Sequence, residues 1–324
     1  MKLDIKAISK EYSEKHILVF GDIILDAYVH GKVDRVSQEA PVPIVLVEHK
    51  EFKPGGAANV ALNLAGLGSR VTLMGIAGKG KNHDHLKSCI NEQNKISYEV
   101  IDIESRPTTI KTRIIADKRQ LARLDNEVTD EISRKDEEIL IKKFKKNIKN
   151  IDGVIIQDYN KGLLTPMIIE TIIDCSKKNK VPVYVDPKFS NYSLYKGVRL
   201  FKPNLLEYNT IAKEEEFGTP PKSGFHFKDY MKTEILLLTL GSNGMSLYHN
   251  GKHDSISTKA RQVFDVSGAG DTVIATFALN DVCGLNPLDS AMISNLAAGR
   301  VCEDIGVSPI TIDSLIDFSS LHYN

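Results

Sequence analysis

The chain has 324 residues, 42% hydrophobic and 26% charged, and its 42 Lys and Arg balance its 42 Asp and Glu. That length supports a sizeable core, and the balanced charge supplies no global field to draw in nucleic acid or an anionic membrane. Four cysteines, Cys89, Cys175, Cys283 and Cys302, show no C-x-x-C or framework spacing. They read as free thiols in a reducing compartment rather than bridges or a zinc site.

From the N-terminus, "MKLDIKAISKEYSEKH" is polar and carries acidic residues, unlike a secretory signal. The run "ILVFGDIILDAYV" is apolar, but Asp22 and Asp26 interrupt it and it is too short to cross a bilayer. A soluble, cytoplasmic protein is expected. Short β-branched runs then recur at 17–22, 71–76, 153–158, 181–186, 199–204 and 235–240. Amphipathic stretches such as "TPMIIETIIDCSKK" (165–178) lie between them. Near-continuous apolar strands alternating with helices predict an α/β fold, a mostly parallel sheet flanked by helices on both faces. Segments 28–52 and 108–125 break that rhythm with mixed alternation and no helix signal. They are predicted as extra antiparallel strands, a small β-sheet lid projecting from the body. With no linker or internal repeat, residues 1–324 read as a single domain.

Several motifs follow along the chain. In "KPGGAANVALNLAGLG" (53–68), Gly55 and Gly56 precede a helix of small residues with Asn59 on its first turn. Such residues allow close helix–sheet packing; equally, the glycine backbone and the Asn59 amide could hydrogen-bond sugar hydroxyls. "GIAGKGKN" (75–82) nearly spells a P-loop, but Asn82 stands where Ser or Thr would hold Mg²⁺. A plain strand-to-helix loop is expected there, and His83-Asp84-His85 reads as a hydrated loop. No G-x-G-x-x-G follows the first strand, so a dinucleotide fold lacks its fingerprint. Lys111 and Arg113 alternate on one strand face and join Arg119 and Arg123 in a local basic cluster. That cluster is either a solvated face or a set of donors for a substrate phosphate, a task bidentate Arg suits. Asp22 and Asp26, inside an apolar run, need partners. Asp158, Asn160 and Lys161 follow a strand end and face the same crevice.

"PNLLE" (203–207) ends a strand and opens a helix, with the spacing of a capping box, Asn204 as N-cap and Glu207 at N3. "TLGSNG" (239–244) lies at the carboxyl edge of a strand, where α/β folds bind ligands. In "DVSGAGD" (265–271), Gly268 and Gly270 let backbone approach a ligand just as a helix begins. A helix N-terminus holds phosphate well. Asp271 there is either a cap or a base that takes a proton from an incoming hydroxyl.

Together these residues resemble the ribokinase-like (PfkB) carbohydrate kinases, over nearly the whole chain. One family signature is matched by Gly55, Gly56, Ala57 and Asn59 with Gly68 and Gly78, the other by Asp265 through Asp271 with Ala275. The runs "RVSQEAPVP" (35–43), "TTIKTRIIADKRQLARLD" (108–125) and "QDYNKGLLT" (157–165) are similar to the heptose-phosphate kinase branch. The resemblance implies ATP- and Mg²⁺-dependent phosphorylation of D-glycero-β-D-manno-heptose 7-phosphate at its anomeric hydroxyl, for ADP-heptose and lipopolysaccharide inner-core synthesis. It implies Asp271 as catalytic base and Ser267, Gly268, Ala269 and Gly270 as anion hole. Asn204, Leu205, Leu206, Glu207, Thr239, Gly241 and Asn295 would contact ATP, with Asn204 and Glu207 organising Mg²⁺ through water. Asp22, Gly55, Gly56, Asn59, Lys111, Arg113, Asp158 and Lys161 would hold the sugar phosphate. The segment "EDIGVSPI" (303–310) departs from the family pattern beside its monovalent-cation site and adenine pocket, so the resemblance leaves K⁺ dependence and the adenine contacts open here. Relatives pair through their lids, which implies a homodimer. No nucleotidyltransferase sequence follows, so a stand-alone kinase with a separate adenylyltransferase is expected. Another sugar or nucleoside kinase of the family, or a non-catalytic nucleotide-binding regulator, stays open as an alternative.

Overall fold

Strand His16–Gly21 shows why the apolar runs carry no polar alternation. Ile17 and Val19 enter one hydrophobic core while Leu18 and Phe20 enter the other. A strand buried on both faces has no solvent side to mark. The computed structural model describes residues 4–117, 119–218, 220, 222–258, 263–304 and 306–323. Its main sheet runs in the order Lys252–Ile256, Met245–His249, Ile235–Thr239, Leu200–Phe201, Val183–Asp186, Gly153–Gln157, His16–Gly21, Arg70–Met74, Ile96–Tyr98. The first two pairings are antiparallel and the rest parallel, so only Met245–His249 opposes the other strands.

All six expected strands lie in this sheet. The run 199–204 contracts to Leu200–Phe201, since Pro203 has no N–H to extend a ladder. The run 71–76 divides, with Ile76–Gly78 pairing instead with Ile101–Ile103. The edge hairpin of Met245–His249 and Lys252–Ile256 is an addition to the expected set. Its turn is Asn250-Gly251, both at positive φ (46° and 71°), the geometry a two-residue hairpin requires.

Helices Ala57–Leu67, Lys81–Asn91, Ala269–Val282 and Pro287–Val301 cover one face. Arg134–Asn147, Pro166–Lys178, Leu205–Glu214 and Gly224–Met231 cover the other. Pro166–Lys178 begins where its sequence directs: the Thr165 hydroxyl accepts from the Ile168 amide, and Pro166 fills the first turn, where no donor is needed.

The lid is a four-stranded sheet in the order Pro43–Gly56, Ile23–Val36, Thr109–Ala116, Arg119–Asn126. It is longer than expected at both ends of its first hairpin, and not wholly antiparallel: Ile23–Val36 and Thr109–Ala116 run parallel, with Asp26 opposite Lys111. Between them the chain crosses back through the body by two helices, the long connection a parallel pair needs. No helix among the described residues is long and apolar enough to cross a membrane.

Candidate active site

Strand His16–Gly21 sits between Gly153–Gln157 and Arg70–Met74, with earlier and later strands growing away on opposite sides. Open α/β sheets bind ligands at the carboxyl ends beside such a reversal. The strands deliver Asp22, Gln157, Asp158, Asp186, Lys202 and Thr239 to that edge.

Asp271, on the first turn of Ala269–Val282, is buried. Its Oδ2 accepts from Asn59 Nδ2 at 2.8 Å, and its Oδ1 accepts from Gln157 Nε2 and the Tyr159 hydroxyl, each at 2.9 Å. Burial pushes its carboxyl up to about 7; Asp186 adds to the rise, while the Asn59 and Tyr159 bonds and the Lys202 charge oppose it. Asp271 therefore does not cap its own helix. Three side chains aim a carboxylate poised near neutrality, as a general base requires.

The preceding Asp265 has a different task. Its Oδ1 accepts from the Ser267 amide at 2.8 Å and its Oδ2 from the Gly306 amide at 3.1 Å. It clamps the glycine loop to the 303–310 segment; Ile305 lies outside the described residues. Within the expected anion hole, the Ser267 amide is thus engaged, and the Ala269 amide is held by the Val266 carbonyl at 3.2 Å. The Gly270 and Asp271 amides open the helix, where N–H groups have no intrahelical acceptor. Gly268 has φ +81°, and a Cβ there would lie 2.8 Å from Asn59 Nδ2. Gly268→Ala is expected to cost about 2 kcal/mol in a urea melt and about 100-fold in turnover, since the clash falls on the residue aiming Asp271. Wild-type turnover with an unchanged melt would contradict this.

A cavity of about 600 Å³ lies on one side of this loop. Asn204, Leu205, Leu206, Glu207, Thr239, Gly241 and Asn295 all line it, with Ala269 and Gly270 at its inner end. The capping box at Asn204 is formed: Asn204 Oδ1 accepts from the Glu207 amide, and Glu207 Oε2 from the Asn204 amide. Glu207 Oε1 also meets Lys188 Nζ, so the cap and the cavity wall are one feature. Asn295 is buried, not solvated; its Nδ2 donates to the Ser257 carbonyl at 2.7 Å. Among the described residues no group of three His, Cys, Asp or Glu could cage a metal. His83, expected in a hydrated loop, is buried on its helix between Asp102 and the Tyr98 hydroxyl.

On the other side lie the residues expected to hold the sugar. Asp22 Oδ2 accepts from the Tyr159 and Lys161 amides at 2.8 and 3.1 Å, and its buried Oδ1 has no partner among the described residues. Burial, then the neighbouring Asp158, pushes its carboxyl up to about 7. Asp22, Arg106, Thr109 and Lys161 line a small cleft at the base of the lid. Asp158 faces away from it, held by the Tyr195 hydroxyl, Asn191 and the Asn160 amide. Asn59 is engaged with Asp271, and its Oδ1 accepts from Asn63 at 3.2 Å. At Gly56, φ +57° turns the lid strand into helix Ala57–Leu67, while the space a Gly55 Cβ would need is filled by Asp26 Oδ2. Most of the basic cluster is paired with carboxylates: Arg113 with buried Asp26, Lys111 with Asp125 and Glu127, and Arg123 with Asp125, while nearby Lys161 meets Glu127.

Four cavity-wall residues and one bridge were not singled out from sequence: Tyr159, Asp186, Lys188, Lys202 and Gln157. All stand at or just beyond the carboxyl ends of parallel strands, a signal present in "GVIIQDY", "VYVDPK" and "RLFKPN".

A buried carboxylate, a helix N-terminus and a large cavity meet at the sheet's reversal, an arrangement that suits phosphoryl transfer. Residues 14–313 match the profile of the pfkB family carbohydrate kinases. The chain belongs to that family and is a carbohydrate kinase. It is 39% identical over 309 residues to a "Bifunctional protein HldE" of Marinomonas sp. (strain MWYL1), covering 94% of this chain and 64% of that one. It is 38% identical over 305 residues to the protein of the same name from Koribacter versatilis (strain Ellin345), covering 94% and 63%. The chain thus spans under two thirds of the length of these relatives. Its fold is that of solved ribokinase-like structures. Phosphofructokinase-2 from Escherichia coli in complex with potassium matches with TM-score 0.77 at 16% identity, covering 95% of this chain and 98% of that one. Arabidopsis thaliana ribokinase complexed with ribose and ATP matches with TM-score 0.73 at 19% identity, covering 94% and 98%.

Proposed function

We propose that this kinase transfers the terminal phosphoryl group of ATP to the anomeric hydroxyl of D-glycero-β-D-manno-heptose 7-phosphate. The observation that carries the chemistry is Asp271, buried at a helix N-terminus next to Gly270 of the cavity wall, with a carboxyl pushed up to about 7. ATP would fill the cavity with its phosphates toward Gly270. The sugar would lie under the lid, its hydroxyls bonded to Asp22 and to backbone near Gly55 and Gly56. Asp271 takes the anomeric proton as the oxygen attacks, and the amides at the helix start neutralise the transferring group.

Asn204, Glu207 and Asp186 give the inner cavity oxygen donors, with Glu207 already engaged by Lys188. That set suits Mg²⁺ carried on phosphates with its own waters rather than an all-protein cage. When bound, Mg²⁺ would neutralise phosphate charge; Asn204 and Glu207 would orient its waters.

The choice of heptose phosphate is supported by the 35–43 and 108–125 runs and by the bifunctional relatives. A panel of sugar phosphates with ATP and Mg²⁺ tests it. A kcat/KM for heptose 7-phosphate about 100-fold above ribose, fructose 6-phosphate and adenosine is expected; preference for any of those three would overturn the assignment. The product would pass to an adenylyltransferase activity in the cytoplasm. Acid should quench the reaction: kcat/KM falls about tenfold per pH unit below 7 as Asp271 protonates, and a flat profile down to pH 5 would exclude it as base. The lid exposes Val36, Leu46, Leu121 and Leu124, which supports pairing of two lids in a homodimer. Leu46→Lys should then halve the mass measured by light scattering; an unchanged mass would exclude that interface.

A further inference from the structure

Lys202, from the strand end at Phe201, is a buried ammonium in the cavity wall, its side chain 3% exposed. Its partner is Asp186, Nζ to Oδ1 at 2.9 Å. A Cβ placed on Gly270 would lie 3.5 Å from Lys202 Nζ and 3.9 Å from Asp186 Oδ2. The ion pair therefore faces the start of helix Ala269–Val282 across a gap that only a missing side chain leaves open. Gln157 ties this pair to the base: its Nε2 donates to Asp186 Oδ2 at 3.0 Å and to Asp271 Oδ1 at 2.9 Å.

We propose that Lys202 forms the far wall of the anion hole and touches the transferring phosphoryl group, with Asp186 as the counter-ion it leaves when the nucleotide docks. The amides of Gly270 and Asp271 meet the phosphoryl oxygens from one side and the ammonium meets them from the other. The phosphoryl group passes from the nucleotide to the sugar oxygen, the hydroxyl proton goes to Asp271, and the nucleoside diphosphate leaves. The titratable groups facing Asp271 are Tyr159, Asp186 and Lys202; helix Ala57–Leu67 offers it only the Asn59 amide.

This inference rests on the kinase reading above, and its test separates the two. Phosphoryl transfer is followed by ADP release, with whichever sugar phosphate the wild type turns over. Lys202→Met is expected to lower kcat about 100- to 1,000-fold with sugar KM within about threefold, and Lys202→Arg to recover part of the loss. Gly270→Ala fits a helix, so its melting temperature should hold or rise while kcat falls, because the methyl occupies the phosphoryl's place. The acidic limb of kcat/KM should move to higher pH in Lys202→Met and to lower pH in Asp186→Asn. A purely structural pair would lower the melting temperature and leave kcat of the folded Lys202→Met within threefold of wild type. Turnover within threefold of wild type in Lys202→Met or Gly270→Ala overturns the proposal. If Asp271→Asn is inactive while those variants are not, only this inference fails; if Asp271→Asn is fully active, the base assignment fails with it.

Discussion

Asp271→Asn is expected to lower turnover about 1,000-fold and, at pH 8, to raise the melting temperature. Both effects come from one carboxylate. Folding buries Asp271 and raises its carboxyl from the usual aspartate range to about 7. Between roughly pH 4 and pH 7 the folded chain then binds more protons than the unfolded one, so this group's contribution to stability falls as pH rises. The cost is complete above 7 and absent below about 4. An amide does not ionise and escapes it. A rise of that size sets a ceiling of about 4 kcal/mol on the gain. The gain should be nearer 1–2 kcal/mol, because Asn59 must turn its oxygen to the new amide and lose its contact with Asn63. Melts at pH 8 and pH 4 check the sign: stabilisation at the first, none at the second. A variant less stable than wild type at pH 8 would mean that the carboxylate is a structural asset and not a strained functional group.

The second large effect concerns Arg113. Removing its side chain leaves Asp26 buried and unpaired, since the Asp26 side chain is 8% exposed and Arg113 is its ion-pair partner. Burial raises the Asp26 carboxyl, and the Arg113 bond and charge hold it down. Arg113→Ala should therefore cost about 3–5 kcal/mol in a denaturant melt. Asp26→Asn combined with Arg113→Ala should recover most of that, because no lone charge remains. The pair of variants separates two roles that a single one would mix. If Arg113 also meets the substrate's 7-phosphate, sugar-phosphate KM stays high in the stable double variant, while an unphosphorylated sugar is unaffected. Recovery of KM along with stability would leave Arg113 as a lid strut, with Arg106 and Lys161 at the cleft as the remaining cations.

Some of this was legible along the chain. The parallel body follows from apolar runs too continuous to have a wet face, as Ile17 to Phe20 illustrate. The glycine loops gave the site's backbone, and all seven expected ATP contacts line one cavity. The Asn250-Gly251 hairpin, absent from the expected strands, carried a local signal as well, an Asn-Gly turn between two strands of five residues each.

What sequence determined by itself, then, is local: strand and helix identity, the cap at Asn204, the glycine that opens the helix before Asp271. These depend on backbone conformation and on side chains within one turn. Which groups face one another was decided only by the fold. Asn59 and Asp271 are 212 positions apart, and Gln157 reaches Asp271 across 114. Arg113 finds Asp26 across 87 positions, so a cluster that reads as free positive charge is mostly neutralised. Proton affinity and charge balance depend on burial and on neighbours a few ångströms away in space, and a linear order of residues carries neither.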